Sequence, residues 1–166
     1  MVQSNVHEAL TPVAWLAGQW TTKEGRGYYP NIPEFQYHED LEFSCIGQAM
    51  FNFLSKSANP ETQAPMHQER GFLWIKPGTK ELAFMVSHNF GLTSLEEGYC
   101  DPDKKEIVLE TVNVSRMSFA KPPHVKKFKR IIRLLSDDTL EITLFMETDN
   151  TPLSEHLKAI YKKKQD

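Results

Sequence analysis

Phe35-Gln36-Tyr37-His38-Glu39-Asp40-Leu41-Glu42-Phe43-Ser44-Cys45-Ile46 is the stretch whose period decides the fold. Phe35, Tyr37, Leu41, Phe43 and Cys45 fall on one parity, and Gln36, His38, Asp40, Glu42 and Ser44 on the other. Successive side chains of an extended chain point to opposite faces, so this alternation predicts a half-buried antiparallel strand. Glu39 is the charged residue that interrupts the apolar face.

Outward from that strand, segments near 20–27, 49–56, 67–76, 81–88, 92–99, 105–114, 124–135, 139–148 and 155–163 also read as strands. Asn59-Pro60, Pro77-Gly78, Asp101-Pro102-Asp103, Pro122-Pro123, Asp137-Asp138 and Asp149-Asn150 supply the turns between them. Parallel strands need long crossover helices, and no segment here supplies one. The expectation is therefore all-β, with short antiparallel strands in a sandwich or a barrel. Residues 1–9 read as a flexible lead. Thr11 is placed to cap a short helix with Pro12 at its first position, ended by Gly18.

The chain has 166 residues and a net charge of −3, which suits one domain and gives no basic face for nucleic acid. The basic run Lys162-Lys163-Lys164 reads as a solvated strand end. Cys45 and Cys100 lack metal-site spacing and read as thiols in a reducing compartment. The polar N-terminus has no apolar signal region, and no run reaches the length of a membrane helix. Cytosol, with the nucleus as a second compartment, is the expected location, and a monomer or weak homodimer the expected state.

No GxSxG, GxGxxG or P-loop pattern is present, and Gly25-Arg26-Gly27 is too short for a phosphate loop. Among the histidines, His67 shares parity with Glu69, Gly71 and Leu73, while Met66 shares it with Phe72 and Trp74. Both Met66 and His67 reach a cavity only if their strand begins with a twist or bulge. Met146 lies on the apolar face of Leu140, Ile142 and Leu144, as core or as a soft cavity wall. Arg130 sits among Phe128, Ile132 and Leu134 and needs an anionic partner, either a buried carboxylate or a ligand. His156 falls on the parity of Lys158 and Ile160, whereas Leu157, Ala159 and Tyr161 form the apolar face. Alternation alone does not aim it inward.

An ordered set of short motifs runs from Leu10 to Lys163: Leu16-Ala17-Gly18-Gln19-Trp20, Gly25-Arg26-Gly27-Tyr28-Tyr29-Pro30, Phe35-Gln36-Tyr37, Gly47-Gln48, Pro65-Met66-His67-Gln68-Glu69-Arg70-Gly71-Phe72, Glu96-Glu97-Gly98, Ser118-Phe119-Ala120-Lys121 and His156-Leu157 through Tyr161. This set resembles the nitrobindin family, closest to its animal branch, which includes the C-terminal domain of a THAP zinc-finger protein. No THAP finger is present, so the module, residues 10–164, is expected to stand alone. The resemblance implies a ten-stranded antiparallel barrel like the fatty-acid-binding proteins, with b-type haem at one mouth. It implies His156 as the axial iron ligand and the catalytic centre, and Met66, His67 and Met146 on the distal side. The residue after Tyr-Pro approaches the haem; it is Asn31 here, where threonine is usual. Thr22 stands where the family has a glycine. Phe35 joins the wall, and Arg130 would face a haem propionate. The implied function is nitric oxide binding and isomerisation of peroxynitrite to nitrate by ferric haem. Two other readings stay open: a haem-free carrier of a fatty acid, its carboxylate held by Arg130, and an interaction domain with a filled core.

Overall fold

The computed structural model describes residues 5–165. Ten strands follow one another round a closed barrel: β1 (Gly18–Tyr29), β2 (Ile32–Cys45), β3 (Met50–Ala58), β4 (Pro65–Ile75), β5 (Glu81–His88), β6 (Leu92–Asp101), β7 (Glu106–Arg116), β8 (Val125–Ser136), β9 (Thr139–Thr148) and β10 (Thr151–Lys163). Each pairs antiparallel with its neighbours in sequence, and β1 closes onto β10. Closure pairs most of the edge that an open sheet of this size would have to protect in other ways; β7 and β8 are joined only where Glu106 to Glu110 face Arg133 to Lys129. The sandwich alternative is thereby excluded.

A 3₁₀ helix, Glu8–Leu16, precedes the barrel. It begins earlier than the sequence suggests, and its cap is different. The His7 ring accepts from the Ala9 N–H (3.1 Å), while the Thr11 hydroxyl donates back to the Glu8 carbonyl (2.7 Å) and Pro12 lies inside the helix. Part of the expected flexible lead is therefore ordered; residues 1–4 of it lie outside the described residues. Burial explains the helix. Leu10, Val13 and Leu16 are wholly buried against Trp20, Phe43, Phe51, Leu73 and Leu140, closing one end of the barrel. The Trp20 indole N–H, buried with them, donates to the Leu16 carbonyl (2.9 Å) and so needs no water.

Meander topology puts the end of β1, the start of β2, the end of β3, the starts of β4 and β6 and the start of β10 at the opposite end. There the inward parity changes character. Phe35, Ser57, His67, Glu69, His88, Ser94, Glu96 and Arg130 replace the aliphatic plug. The terminal lysines stay on the surface: Lys164 pairs with Asp40 (2.9 Å), and the Lys163 ammonium lies over the Trp20 ring. That is the solvated strand end expected of them. Cys45 and Cys100 are both thiols.

Candidate functional site

His156 is aimed by a β-bulge. In the β9–β10 ladder Glu155 faces Phe145 and Leu157 faces Leu144, so His156 is the extra residue between two consecutive partners. An inserted residue breaks the alternation and turns its side chain out of the pleat, which is why parity misjudged it. Three contacts from β1 and β2 hold it. Its Nδ1 lies 2.9 Å from the Tyr28 carbonyl oxygen. Its ring meets the edges of Tyr29 (centroids 5.2 Å apart) and Phe35 (6.3 Å). The Tyr28 hydroxyl also donates to the Glu155 carboxylate, so one residue grips the bulge on both sides.

The Tyr28 contact settles the tautomer. A carbonyl only accepts, so Nδ1 carries the proton. Burial pushes the His156 pKa below its ordinary value, against the opposing pull of the Tyr28 carbonyl. The ring is therefore neutral near pH 7 with a bare Nε2, the state in which imidazole ligates a metal.

A second bulge shapes the facing wall. Lys56 pairs with Gln68 but Ala58 with Pro65, which sets Met66 and His67 together opposite Ser57. The Ser57 hydroxyl accepts from the His67 N–H (2.9 Å) and donates to the His67 carbonyl (3.0 Å), satisfying the backbone that the bulge leaves unpaired. Both side chains reach a cavity of about 120 Å³ lined by Phe35, Tyr37, Glu39, Ser57, Met66, His67, His156 and Leu157. Glycines make room for its aromatic wall. A Cβ on Gly27 would come within 2.1 Å of the Phe35 ring, and one on Gly25 within 2.4 Å of the Tyr37 ring. Those glycines are seats for aromatic rings. Close by, Thr22 Oγ1 accepts from the Glu24 N–H (3.2 Å) where the β1–β2 register shifts.

The other expected residues lie outside the cavity lining. Met146 packs with Leu144, Phe128, Leu92 and Leu157, and its carbonyl accepts from the Tyr29 hydroxyl (2.9 Å). Asn31 is exposed in the turn between β1 and β2. Arg130 has found the carboxylate partners. Its guanidinium donates twice to Glu69 (2.9 Å each) and once to Glu96 (2.7 Å), and all three residues are buried. This fully paired arrangement leaves it poorly placed to hold a fatty acid or a propionate. Burial by itself would raise the Glu69 pKa, but Arg130 holds it well below the usual carboxylate range. The two carboxylates in turn hold Arg130 firmly protonated against its own burial.

Residue-by-residue reasoning passed over two groups. One is His88 with Ser94 and Glu96, behind His67; its signal was polar residues on an inward parity. The other is Glu39, already conspicuous on the apolar face of β2. Its carboxylate accepts from the Tyr161 hydroxyl (2.7 Å) beside the cavity. Burial raises it from the ordinary 4.5 to about 7, with the Tyr161 and Ser55 hydroxyls pulling it down and Glu69 pushing it up. The folded chain thus binds this proton more tightly than the unfolded one. The resulting stabilisation is complete below 4.5 and is lost as pH rises through about 7. Glu39→Gln, which has no proton to lose, is expected to unfold with weaker pH dependence between pH 5 and 8. At pH 8 it should be more stable than wild type by on the order of 1–3 kcal/mol in urea titrations. A larger loss of stability at pH 8 than at pH 5 would contradict the assignment.

One neutral imidazole with a bare nitrogen thus lies beside a small cavity at the end of a closed barrel. The chain belongs to the family described as THAP4-like, heme-binding beta-barrel domain, whose model matches residues 9–163. It is 40% identical over 159 residues to the mouse protein named peroxynitrite isomerase THAP4, covering 95% of this chain and 28% of that one. The chain thus spans little more than a quarter of its mammalian relatives. It is 33% identical to an Arabidopsis thaliana protein also named a peroxynitrite isomerase, covering 95% of this chain and 90% of the relative. The crystal structure of Rv2717c from M. tuberculosis superposes with a TM-score of 0.87 at 25% identity, over 97% of this chain and all of that one.

Proposed function

We propose that this chain binds b-type haem through His156 and, in its ferric form, isomerises peroxynitrite to nitrate and binds nitric oxide. The observation that carries the reading is the His156 ring, locked by Tyr28 with Nε2 bare toward the cavity. The family match supports the cofactor, and the names of the full-length relatives support the reaction.

The residues fit haem in kind. A neutral imidazole is the common protein ligand to haem iron, and its N–H to a carbonyl fixes the orientation. Phe35, Met66 and Leu157 offer apolar surface to a macrocycle, and Met66 is adaptable enough to repack around one. The cavity of about 120 Å³ suits a small anion or diatomic. Whole cofactors need roughly 300–1,000 Å³, so the macrocycle also requires the barrel mouth. Ferric haem supplies a Lewis-acidic iron with one open position.

The protein's own tasks are then few. Peroxynitrite and nitrate contain the same atoms and charge, so the site needs no reductant and no second substrate. Tyr28, Tyr29 and Phe35 fix the angle of the imidazole. Met66 and Leu157 give the cavity apolar wall, and His67, Ser57 and Glu39 are among the polar groups that line it. A fatty-acid carrier is the weaker reading, because Arg130 already holds two carboxylates and the lumen is largely filled.

Titrating the protein with hemin and following its absorbance tests the cofactor assignment. A saturable Soret band at one haem per chain is expected, with a further shift when nitric oxide is added to the loaded protein. Hemin spectra identical to those in protein-free buffer would reject it.

A further inference from the structure

Behind the cavity wall a chain of hydrogen bonds leads from Arg130 to His67, and its protons can be assigned one by one. The Glu96 carboxylate takes the Arg130 Nε–H (2.7 Å), so it can only accept from Ser94, whose hydroxyl donates to it at 3.2 Å. A hydroxyl has one proton. Ser94 Oγ therefore faces His88 Nε2 (3.0 Å) with a lone pair, and that nitrogen must carry a hydrogen. The remaining His88 nitrogen, Nδ1, lies 3.0 Å from His67 Nε2 and 3.2 Å from Glu69 Oε1; His67 Nε2 is itself 3.4 Å from that oxygen. Glu69 only accepts, because Arg130 occupies both its oxygens.

Two arrangements satisfy this triangle. When His88 Nδ1 is bare, His67 must donate from Nε2, which leaves His67 Nδ1 bare. When His88 Nδ1 is protonated, it points between Glu69 and His67 Nε2; His67 then accepts there and carries its own hydrogen on Nδ1. With a single proton on His67, any other combination sets two lone pairs or two N–H groups against each other in a buried site. The geometry points to His88 as the positioning residue that decides whether His67 meets a cavity occupant with a lone pair or with an N–H.

His67 lines the cavity while its Nε2 is engaged behind the wall, so Nδ1 and the adjoining ring edge are what an occupant can meet. Burial pushes the His67 pKa down to about 4, although Glu69 opposes it, so the ring carries one proton near neutral pH. Every element packed on His88 contributes to its setting. His67 and Glu69 come from β4, Ser94 and Glu96 from β6, and Phe90 from the turn. From β8 come the Phe128 ring, stacked on His88 at 5.1 Å, and Arg130 on the far side of Glu69. The three donors His67, Glu69 and His88 also lie close enough to hold an ion. Arg130 on both Glu69 oxygens and the contact between the rings make a shared proton the better occupant.

For the identity of the ligand this inference rests on the haem reading; the proton coupling stands apart from it. Nitrogen-15 NMR of histidine-labelled, haem-free protein reads both rings in one spectrum. At any one pH, two pairings are expected: neutral His88 bonded through Nε2–H with His67 protonated on Nε2, or doubly protonated His88 with His67 protonated on Nδ1. In His88→Leu, Glu69 Oε1 is the neighbour left to His67 Nε2, and the His67 proton should sit on Nε2 at every pH where the ring is neutral. A crossed pairing in wild type, or an Nδ1–H form of His67 in the variant, would overturn the inference. A failed hemin titration with the expected pairing would remove the haem reading alone.

Discussion

Replacing Arg130 with alanine should cost about 3–5 kcal/mol of folding stability at pH 7, the largest single-site loss expected away from the aliphatic core. Glu69 and Glu96 would be left buried and charged with no guanidinium between them, and burial without a partner is what makes such charges expensive. Urea unfolding at pH 7 measures the loss. The sign of its pH dependence is a second check. Glu69 is held well below its ordinary value in the wild type, so the stability that it contributes is present above 4.5 and is lost as pH falls through the folded value. In the variant the unpaired carboxylates take up protons readily, so its deficit should shrink as pH falls toward 5. A deficit below about 1 kcal/mol at pH 7, or one that widens with acid, would show that the pair does not carry this weight.

His156→Ala should weaken haem binding by at least ~100-fold, since loss of an outer partner to a metal ligand alone costs roughly 10–100-fold. The variant removes the bare Nε2 and the bond to the Tyr28 carbonyl together. Its fold should survive, because the bulge is also held by Tyr28 and Glu155, and the ring contributes little to the aliphatic plug. Far-UV circular dichroism separates loss of ligation from loss of fold. Added imidazole should restore much of the Soret band by entering the space that the side chain vacates. An unchanged haem affinity in a folded variant would mean that another group holds the iron. As a milder companion, Gly27→Val should press a side chain into the Phe35 ring and reduce haem uptake without unfolding the barrel.

The alternation of Phe35 to Cys45 made the strands readable, and ten of them are observed close to where period two placed them. Arg130 was readable as an inward cation in need of an anion, and Glu39 as an inward acid. The bulges were not readable. Which residue of β10 is skipped depends on the register with β9, and register is a property of two strands together. His156 was therefore found through the family resemblance, while its own neighbours argued against it. The same limit hid His88. Its partners lie on β4 and β6, and nothing near Val86-Ser87-His88 in sequence announces them. The helix cap moved from Thr11 to His7 for a related reason: burial of Leu10, Val13 and Leu16 sets where the turn begins, and a local capping preference does not outweigh it.

The most direct test mixes haem-loaded protein with peroxynitrite in a stopped-flow instrument and then assays the products. Decay should accelerate in proportion to loaded protein, with nitrate as the product, no consumption of reductant and no nitrite beyond that of the uncatalysed reaction. His156→Ala, taken through the same hemin-loading procedure, should fall back to the rate of an equal concentration of free hemin. Decay that ignores the loaded protein, or that yields nitrite in place of nitrate, would contradict the proposed function.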